Sequence, residues 1–335
     1  VNTIPCLSRG ELLAKCVNQK HLVRVAGTHG KTTTSSLAAF VAECCQGSVS
    51  SIVGGTLTGR DSPVCYTDDA LCIVESDESD RSFLLLKPQA AIVTNIDHDH
   101  LSSYGGEYTN LLDAFVCFLN GMGPEGVAIV NIDDPGVQAI LPRLTCKTLT
   151  YGLSAAADTR ATALESIALS SRFQLAGNGR AEEVVLNLVG RHNVLNALGV
   201  CALGRHLGWA GDVVASALAR FPGVNRRLCC HGEVSYGTGS VMVIEDYGHH
   251  PTELMASFSA VQAAWPNRRL FVVFQPHRYS RTKALLLPFA EALSVVSAVM
   301  LLPIYAAGEA HDPDVTSADL GRMMQQHGAA GSVTV

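Results

Sequence analysis

The sequence has few charged residues and no long apolar stretch. Charged side chains make up 16% of the 335 residues and the formal net charge is −6, so the basic face typical of a nucleic-acid-binding protein is not expected. No apolar run is long enough to cross a bilayer, and the first ten residues lack the charged start and apolar block of a signal peptide. These absences predict a cytoplasmic protein with neither nucleic-acid nor membrane partners.

Cysteine is plentiful, but its spacing argues against two common uses. The chain has 11 cysteines, an odd number, and no Cys-x-x-Cys spacing of the kind that binds zinc. A disulfide framework is unusual in an α/β protein of this size. We therefore predict reduced cysteines that are mostly buried as small hydrophobic residues.

The distribution of apolar residues predicts two α/β domains. Hydrophobic residues make up 47% of the chain, and the length corresponds to roughly two domains of about 150 residues each. Short apolar strands alternate with helices, which is typical of a mainly parallel sheet covered on both faces. Between about residues 161 and 188, two alternating segments flank Asn178-Gly179 and predict an antiparallel hairpin. After a linker at Phe221 to Arg227, the segment "VMVIEDY" restarts the strand–helix alternation.

The segment "VAGTHGKTTT" follows a predicted strand and opens a predicted helix, which is the context of a phosphate-binding loop. Backbone N–H groups from Thr28 to Thr32, at the start of the helix, favour an anion. Lys31 would reach the terminal phosphates, and the Thr32 hydroxyl would bind Mg²⁺. The spacing departs from the common pattern, because only two residues separate Gly27 from Gly30. A glycine turn with a solvated lysine is the alternative.

Acidic residues and histidines follow two further predicted strands. In "VESDESD", Glu75 is the first acid after the strand, at the edge where ligands bind in open α/β sheets. Its carboxylate can hold Mg²⁺ directly or through water, and a solvated acidic loop is the alternative. In "TNIDHDH", either His98 or His100 can ligate a metal or contact phosphate. A surface histidine is the alternative there, and the spacing does not fit zinc.

Amide side chains open a later helix. In "GRHNVLN", Asn193 and Asn196 are three residues apart and share a helix face. Amides can read the edge of a base, because each has a donor and an acceptor. An asparagine near a helix cap is the structural alternative.

The second domain has two clusters of polar residues after strands, in "EDYGHHPTE" and "QPHRYSRT". Arginines in such places can clamp carboxylates or phosphates. The first cluster contains Asp246, Tyr247, His249 and His250, and the second contains Arg278 and Arg281.

Together these motifs resemble those of the Mur ligases, the ATP-dependent amide-forming enzymes of peptidoglycan synthesis. "GTHGKTTT" matches the loop of that family with its shorter glycine spacing. "ESDESDRSF", "NIDHDH", "GRHNVLNALG", "DYGHHPTE" and "FQPHRYSRT" are most similar to the branch that adds L-alanine to UDP-N-acetylmuramate. The similarity covers nearly the whole chain.

The resemblance implies an α/β domain organisation. A P-loop mononucleotide-binding central domain is expected at residues 21–225, with a mainly parallel sheet and a small antiparallel portion. A Rossmann-like α/β C-terminal ligase domain, incomplete at its end, is expected at 226–335. Residues 1–20 are expected to be the remnant of an N-terminal domain.

The resemblance also implies a reaction. ATP phosphorylates the lactyl carboxylate of UDP-N-acetylmuramate, and the amine of L-alanine attacks the acyl phosphate. A tetrahedral intermediate then releases phosphate. Such an enzyme must align its substrates and neutralise phosphate charge. The implied cofactors are ATP and Mg²⁺, the implied partners are the two small substrates, and a monomer or weak homodimer is expected.

The resemblance assigns roles by position in the motifs. The implied catalytic residues are Lys31, Glu75, His100, Arg227 and His249. The implied ATP-binding residues are Gly27, Thr28, His29, Gly30, Lys31, Thr32, Thr33, His192, Asn193, Asn196, Arg227 and Asp246. The implied substrate-binding residues are Tyr247, His249, Arg278 and Arg281. The implied metal ligands are Thr32, Glu75 and His100, which selects His100 over His98.

Two alternatives stay open. A recycling ligase, which joins a preformed tripeptide to the same muramate nucleotide, has related motifs, although "QPHRYSRT" favours the alanine branch. A non-catalytic ATP-binding fragment is the other, because the UDP-binding domain of the family and its last strand and helix are expected to be missing. Weak binding of UDP-N-acetylmuramate is expected for the same reason.

Overall fold

The computed structural model describes residues 6–79, 81–177, 180–328 and 331–335. The chain divides into two compact units, Val1–Asn225 and Arg226–Val335, here called unit 1 and unit 2. Among the described residues, no helix has the length and apolar character needed to span a membrane.

Unit 1 contains six α-helices and ten strands among its described residues. The helices are α1 (Arg9–Val17), α2 (Lys31–Gln46), α3 (Tyr108–Asn120), α4 (Pro135–Ile140), α5 (Arg191–Leu207) and α6 (Gly211–Ala219). The strands are β1 (His21–Ala26), β2 (Ser50–Ile52), β3 (Val64–Cys65), β4 (Leu71–Glu75), β5 (Ala90–Val93), β6 (Val127–Asn131), β7 (Lys147–Gly152), β8 (Thr159–Ile167), β9 (Ser170–Gly177) and β10 (Arg180–Leu186). Short 3₁₀ helices cover Ser82–Leu85, Leu101–Tyr104 and Leu141–Arg143.

The strands of unit 1 form one sheet in the order β10-β9-β8-β7-β6-β5-β1-β4-β2-β3. Pairing is parallel from β8 through to β2, and antiparallel for β8–β9, β9–β10 and β2–β3. This confirms the mainly parallel sheet with an antiparallel portion. The predicted hairpin is also confirmed, since Ser171 pairs with Leu186, although its Asn178-Gly179 turn lies outside the described residues.

Helices cover both faces of the sheet in unit 1. On one face, Val23 and Val25 of β1 join a buried cluster with apolar residues of α2, α5 and α6. On the other, the buried ring of Phe83 lies 5.3 Å from that of Phe115 and 5.1 Å from that of Phe118, both on α3. Strands buried on both faces read as continuous apolar runs, which is why β1, β4 and β5 were predictable.

Arg24 interrupts the apolar run of β1 and is fully buried. Its guanidinium donates to Ser76 Oγ and to the carbonyl of Phe83, and it lies 5.0 Å from the ring centre of Phe118. Burial lowers the pKa of Arg24 to about 9. The side chain therefore fastens β1 to both ends of the segment that follows β4.

Unit 2 contains four α-helices and five strands among its described residues. The helices are α7 (Pro251–Ala264), α8 (Tyr279–Ala284), α9 (Leu286–Ser294) and α10 (Ser317–Gln326). The strands are β11 (Cys229–Tyr236), β12 (Gly239–Glu245), β13 (Phe271–Phe274), β14 (Ala298–Leu301) and β15 (Ser332–Thr334).

The sheets of unit 2 differ in part from the prediction. Strands β13, β14 and β15 pair in parallel, with α8 and α9 between β13 and β14, as an α/β unit requires. The "VMVIEDY" strand, in contrast, belongs to a separate antiparallel hairpin of β11 and β12. Its partner β11 was not predicted, because half of its residues are polar or glycine and most are exposed. Gly237, with φ +59°, lies in the turn that reverses the chain.

In the three-stranded sheet, β13 pairs with β14 and lies at one edge of the order β13-β14-β15. Phe271 and Val273 of β13 are 58% and 56% exposed, respectively. The opposite face is covered, since Phe274 packs on Phe289 of α9 with ring centres 5.5 Å apart.

The cysteines follow only part of the prediction. All 11 are free, which agrees with the absence of a disulfide framework. Only Cys72 and Cys201 are buried, however, so the prediction that most cysteines are buried is wrong. The adjacent pairs are only partly buried: Cys44-Cys45 lies in the last turn of α2, and Cys229-Cys230 begins the mostly exposed β11.

We expect Arg24→Ala to lower the free energy of unfolding of unit 1 by about 3 kcal/mol, because it leaves a cavity and a buried carbonyl without its donor. Urea denaturation would measure the loss. Arg9→Ala, at an exposed position on α1, is the matched control and should change stability by less than about 0.5 kcal/mol. A loss for Arg24→Ala as small as that for Arg9→Ala would mean that the contacts of Arg24 contribute little to stability.

A second prediction concerns Gly27, where the chain turns after β1 with φ +129°. A Cβ at this position would overlap Thr94 Oγ1 and lie 2.9 Å from the carbonyl oxygen of Asn95. Gly59 also has a positive φ, of +83°, but a Cβ there would meet no atom within 4 Å. Gly59→Ala should cost about 1–2 kcal/mol of backbone strain, and Gly27→Ala at least about 2 kcal/mol more. Similar denaturation midpoints for the two variants would contradict this.

Candidate active site

Three loops meet at one edge of the sheet in unit 1. Strands β5, β1 and β4 are parallel neighbours, so their carboxyl ends lie side by side, where open α/β sheets bind ligands. We name the segments that follow them the phosphate loop (27–30, after β1), the acidic loop (76–79, after β4) and the histidine loop (94–100, after β5).

Asn95 fixes the phosphate loop by hydrogen bonds to its backbone. The N–H groups of Thr28 and His29 donate to the carbonyl oxygen and to Oδ1 of Asn95, at 3.0 and 2.8 Å. The prediction that N–H groups from Thr28 onward face an anion is therefore corrected for these two residues. The first turn of α2, which begins at Lys31, has N–H groups without intrahelical partners. Asn95 was missed, although it lies only two residues after the end of β5.

Two glycines shape the phosphate loop. Besides Gly27, Gly30 has φ +79° and caps α2. A Cβ on Gly30 would lie 2.6 Å from Asn196 Oδ1. Side chains are thus excluded on both sides of the turn, which leaves room for a ligand to approach the backbone closely.

Lys31 folds back across the phosphate loop. Its ammonium donates to the carbonyl oxygens of Gly27 and Thr28, at 2.6 and 3.0 Å, and to Glu78 Oε1 at 2.9 Å. The side chain of Lys31 is 14% exposed and that of Glu78 is 1% exposed. Glu78 was missed, because the sequence argument took the first acid of "VESDESD" and had no means of ranking the others.

Burial and charge interactions shift the pKa values of Lys31 and Glu78 to different extents. Burial alone lowers the pKa of Lys31, but Glu78, followed by Glu75 and Asp77, more than reverses this, and the pKa of Lys31 is raised. Burial raises the pKa of Glu78 to about 7, and Lys31 offsets only part of that effect. Lys31 therefore stays charged, while Glu78 changes its protonation state near neutral pH.

Oxygen atoms suited to Mg²⁺ lie next to the phosphate loop. The Thr32 hydroxyl donates to Glu75 Oε1 at 3.0 Å, and the N–H of Gly54 donates to Oε2 at 2.5 Å. The Ser35 hydroxyl lies 3.4 Å from the same Oε2. A carboxylate and a hydroxyl are the hard donors that Mg²⁺ prefers, so these side chains fit a magnesium site.

The 3₁₀ helix Leu101–Tyr104, which follows the histidine loop, packs on the acidic loop. Tyr104 OH donates to the carbonyl of Glu78 at 2.6 Å, and Ser103 Oγ donates to that of Ser79 at 2.5 Å. The pKa of Asp77 is lowered. Burial alone would raise it, but hydrogen bonds from Ser79 and the charges of Lys31 and His100 more than offset this. His100 thus faces the acidic loop, and its Nε2 lies 3.6 Å from Asp99 Oδ2.

His98 and His29 have other partners. His98 is 65% exposed and stacks on Tyr108, with ring centres 3.8 Å apart. His29 Nε2 lies 3.0 Å from Asp97 Oδ2, while the N–H of Asp97 donates to Thr28 Oγ1 at 2.8 Å. These contacts join the histidine loop to the phosphate loop.

The amides of α5 are almost fully buried. Asn193 and Asn196 are 5% and 6% exposed, and Asn193 Nδ2 donates to the carbonyl of Val189 at 2.9 Å. Asn196 Nδ2 donates to Asn193 Oδ1 at 3.3 Å. They do share a helix face, and Asn196 faces Gly30. A role for the two amides and the half-buried His192 in reading adenine stays a prediction, as does a role for the buried Thr33.

In unit 2, Arg227, Tyr247 and His249 lie together. The guanidinium of Arg227 lies 5.3 Å from the ring centre of Tyr247, and the ring of Tyr247 lies 5.3 Å from that of His249. Glu253 is 4.0 Å from Arg227 Nη1 and 3.5 Å from His249 Nδ1. Burial lowers the pKa of His249 despite Glu253, so its imidazole is neutral at pH 7.

Of the two arginines predicted after β13, Arg281 approaches this group through His277, which was not predicted. The ring of His277 lies 5.7 Å from that of His249, and Arg281 Nη1 lies 3.3 Å from His277 Nδ1. Arg278 is exposed, with φ +74°, at the start of α8. His249 and Arg281 therefore share one surface, although β12 and β13 belong to different sheets.

Asp246 is engaged with its own neighbours. Its carboxylate accepts hydrogen bonds from the N–H groups of Leu228 and Gly248, at 2.9 and 2.7 Å, and from Ser257 Oγ at 3.2 Å. The predicted nucleotide contact of Asp246 stays a prediction. In this structure the side chain joins the start of β11 to α7.

Comparison with known proteins identifies related sequences and structures. The Mur ligase middle domain matches residues 25–204, and the Mur ligase, glutamate ligase domain matches residues 226–335. The chain is 42% identical over 328 residues to UDP-N-acetylmuramate–L-alanine ligase of Methylococcus capsulatus, covering 97% of this chain and 69% of that protein.

Solved structures show the same fold. The UDP-N-acetylmuramate-alanine ligase of Thermotoga maritima is 25% identical with a TM-score of 0.78, over 97% of this chain and 69% of that one. A murein peptide ligase of Psychrobacter arcticus has a TM-score of 0.68 at 19% identity, over 97% of this chain and 71% of that one, which shows the fold alone. The domain matches and the relative at 42% identity agree with the motifs, and the chain belongs to the Mur ligase family.

Proposed function

We propose that this chain performs the ATP-dependent ligation of L-alanine to the lactyl carboxylate of UDP-N-acetylmuramate, in peptidoglycan precursor synthesis. The observation that carries the proposal is the group formed by Lys31, Thr32 and Glu75 where β1 passes into α2. The 42% identity to an alanine ligase supports the choice of substrates.

In the proposed reaction, the phosphate loop binds the phosphates of ATP. The start of α2 favours an anion through its free N–H groups and its dipole. Lys31 neutralises charge that develops as the terminal phosphoryl group moves to the lactyl carboxylate. Gly27 and Gly30 keep side chains away from the backbone at this point.

We propose Thr32, Glu75 and His100 as the residues that hold Mg²⁺. When bound, the ion neutralises phosphate charge and orients the phosphoryl group. The side chains of Thr32 and Glu75 are already 3.0 Å apart, so they need little rearrangement to share one cation.

Unit 2 is proposed to serve the nucleotide and the substrates. Arg227 and Asp246 are proposed to bind ATP, because of their positions in the family motifs. The neutral imidazole of His249 can accept a proton from the attacking amine. Arg278 and Arg281 can pair with a carboxylate. Tyr247, whose ring lies beside that of His249, is proposed to contact the substrates.

The recycling ligase is the second candidate, because the fold of the chain also matches that of a murein peptide ligase. Sequence identity favours the alanine enzyme, at 42% against 19%. A non-catalytic nucleotide-binding fragment is the third possibility, and the same experiment separates all three.

We expect phosphate release from Mg-ATP to require both UDP-N-acetylmuramate and L-alanine. The measurement omits each substrate in turn, and a parallel reaction replaces L-alanine with the L-Ala-γ-D-Glu-diaminopimelate tripeptide. Release with the tripeptide but not with alanine would favour the recycling reaction. No release, with Mg-ATP still raising the melting temperature, would indicate a binding fragment.

Lys31→Ala should lower the rate of ligation at least about 100-fold, because it removes a positive charge from the transition state. Lys87→Ala is the matched control, since Lys87 is exposed and lies after the 3₁₀ helix at Ser82–Leu85. Its rate should match that of the unchanged chain. Ligation by Lys31→Ala at the control rate would refute the assignment of the phosphate loop.

A further inference from the structure

Glu78 has an environment that the proposed reaction does not explain. Its side chain is 1% exposed. One carboxylate oxygen accepts a hydrogen bond from Lys31, and the other, Oε2, is buried with no hydrogen-bond partner among the described residues. A buried ionised group with an unsatisfied oxygen is costly, so its presence beside the phosphate loop calls for a role.

The ammonium of Lys31 has no N–H donor to spare. An ammonium has three N–H donors, and three acceptors surround it: the carbonyls of Gly27 and Thr28 and the carboxylate of Glu78. A phosphate oxygen can receive a hydrogen bond from Lys31 only if one of these contacts is given up. The carbonyls belong to the loop that would cradle the phosphate, whereas Glu78 is a competing anion.

The acidic loop is fixed, so the lysine is the part that moves. Tyr104 OH holds the carbonyl of Glu78 at 2.6 Å, and Ser103 Oγ holds that of Ser79 at 2.5 Å. The side chain of Lys31, with four rotatable carbons, can leave Glu78 while the carboxylate stays in place. The ionised groups that act on Glu78 are Lys31 on α2 and Asp77 on the same loop.

We propose that Glu78 is a positioning residue that holds Lys31 against its own loop and competes with the nucleotide phosphates for it. The proposal rests on the proposed ATP-dependent function. It follows that the negative charge of Glu78 weakens nucleotide binding by withholding Lys31 and by repelling the incoming phosphates. The elevated pKa of Glu78, near 7, lets the carboxyl accept a proton once the lysine has left.

Calorimetric titration with a non-hydrolysable ATP analogue and Mg²⁺ tests this. At about pH 8, where Glu78 is ionised, Glu78→Gln should bind the analogue at least about fivefold more tightly than the unchanged chain. Glu125→Gln is the matched control, because Glu125 is exposed in the turn before β6. Its affinity should equal that of the unchanged chain.

A pH profile separates positioning from a merely structural role. At about pH 6 Glu78 is mostly protonated, so the affinities of the unchanged chain and Glu78→Gln should converge to within about twofold. Each comparison is made at one pH, which cancels the titration of the analogue itself. A change in affinity of the same size at both pH values, or equal or weaker binding by a folded Glu78→Gln at pH 8, would overturn the proposal.

This test distinguishes failure of the proposed ATP-dependent function from failure of the role proposed for Glu78. If the unchanged chain does not bind the analogue at either pH, the proposed ATP-dependent function fails, and with it this inference. If the unchanged chain binds the analogue and all three proteins have the same affinity at pH 8, only the role of Glu78 fails. Melting temperatures of all three proteins establish that each is folded.

Discussion

The site in unit 1 depends on a buried arginine. Arg24 lies on β1, between β4 and β5, and its guanidinium holds Ser76 at one end of the segment after β4 and Phe83 at the other. Taking a guanidinium out of water is expensive, and two hydrogen bonds and a neighbouring ring offset part of the cost. The segment it anchors carries Glu78, which lies against Lys31, and directly follows Glu75, which lies against Thr32. The same contacts therefore stabilise the sheet and place two carboxylates beside the start of α2.

Around this anchor, the three loops are joined mainly through backbone groups. Asn95 receives the N–H groups of the phosphate loop, Tyr104 and Ser103 bond carbonyls of the acidic loop, and Asp97 meets both Thr28 and His29. Bonds to the backbone fix where each loop runs, while leaving side chains such as Lys31 and Glu75 able to exchange partners. A scaffold of this kind suits chemistry that relies on positioning and charge more than on covalent steps.

Much of the fold was predictable, because strands buried on both faces leave a strong apolar signal. That signal located β1, β4 and β5 and therefore the edge where the loops meet. It failed for β11, in which half of the residues are polar or glycine and most are exposed, and whose pairing depends on the turn at Gly237. The sequence also selected Glu75 as a candidate carboxylate at the sheet edge, and the structure places this last residue of β4 beside Thr32.

Other parts of the site could not be predicted from the spacing of residues in the sequence. In "VESDESD" the acids are too close together for sequence to show that Glu78, and not Asp77, contacts Lys31; that choice depends on how Arg24 and Tyr104 direct the backbone. The shared face of Asn193 and Asn196 followed from helical periodicity, but their burial depends on α5 packing against the sheet. The partial burial of Cys44-Cys45 similarly reflects where α2 ends.

The edge strand β13 has a practical consequence. Phe271 and Val273 leave an apolar surface on a strand whose outer edge lies at the limit of its sheet, and such an edge is a template for strand addition by another molecule. Unit 2 produced by itself would therefore be prone to aggregate as its concentration rises. A lysine at position 273 would place a charge in the middle of that strand and oppose self-association without entering the group around His249.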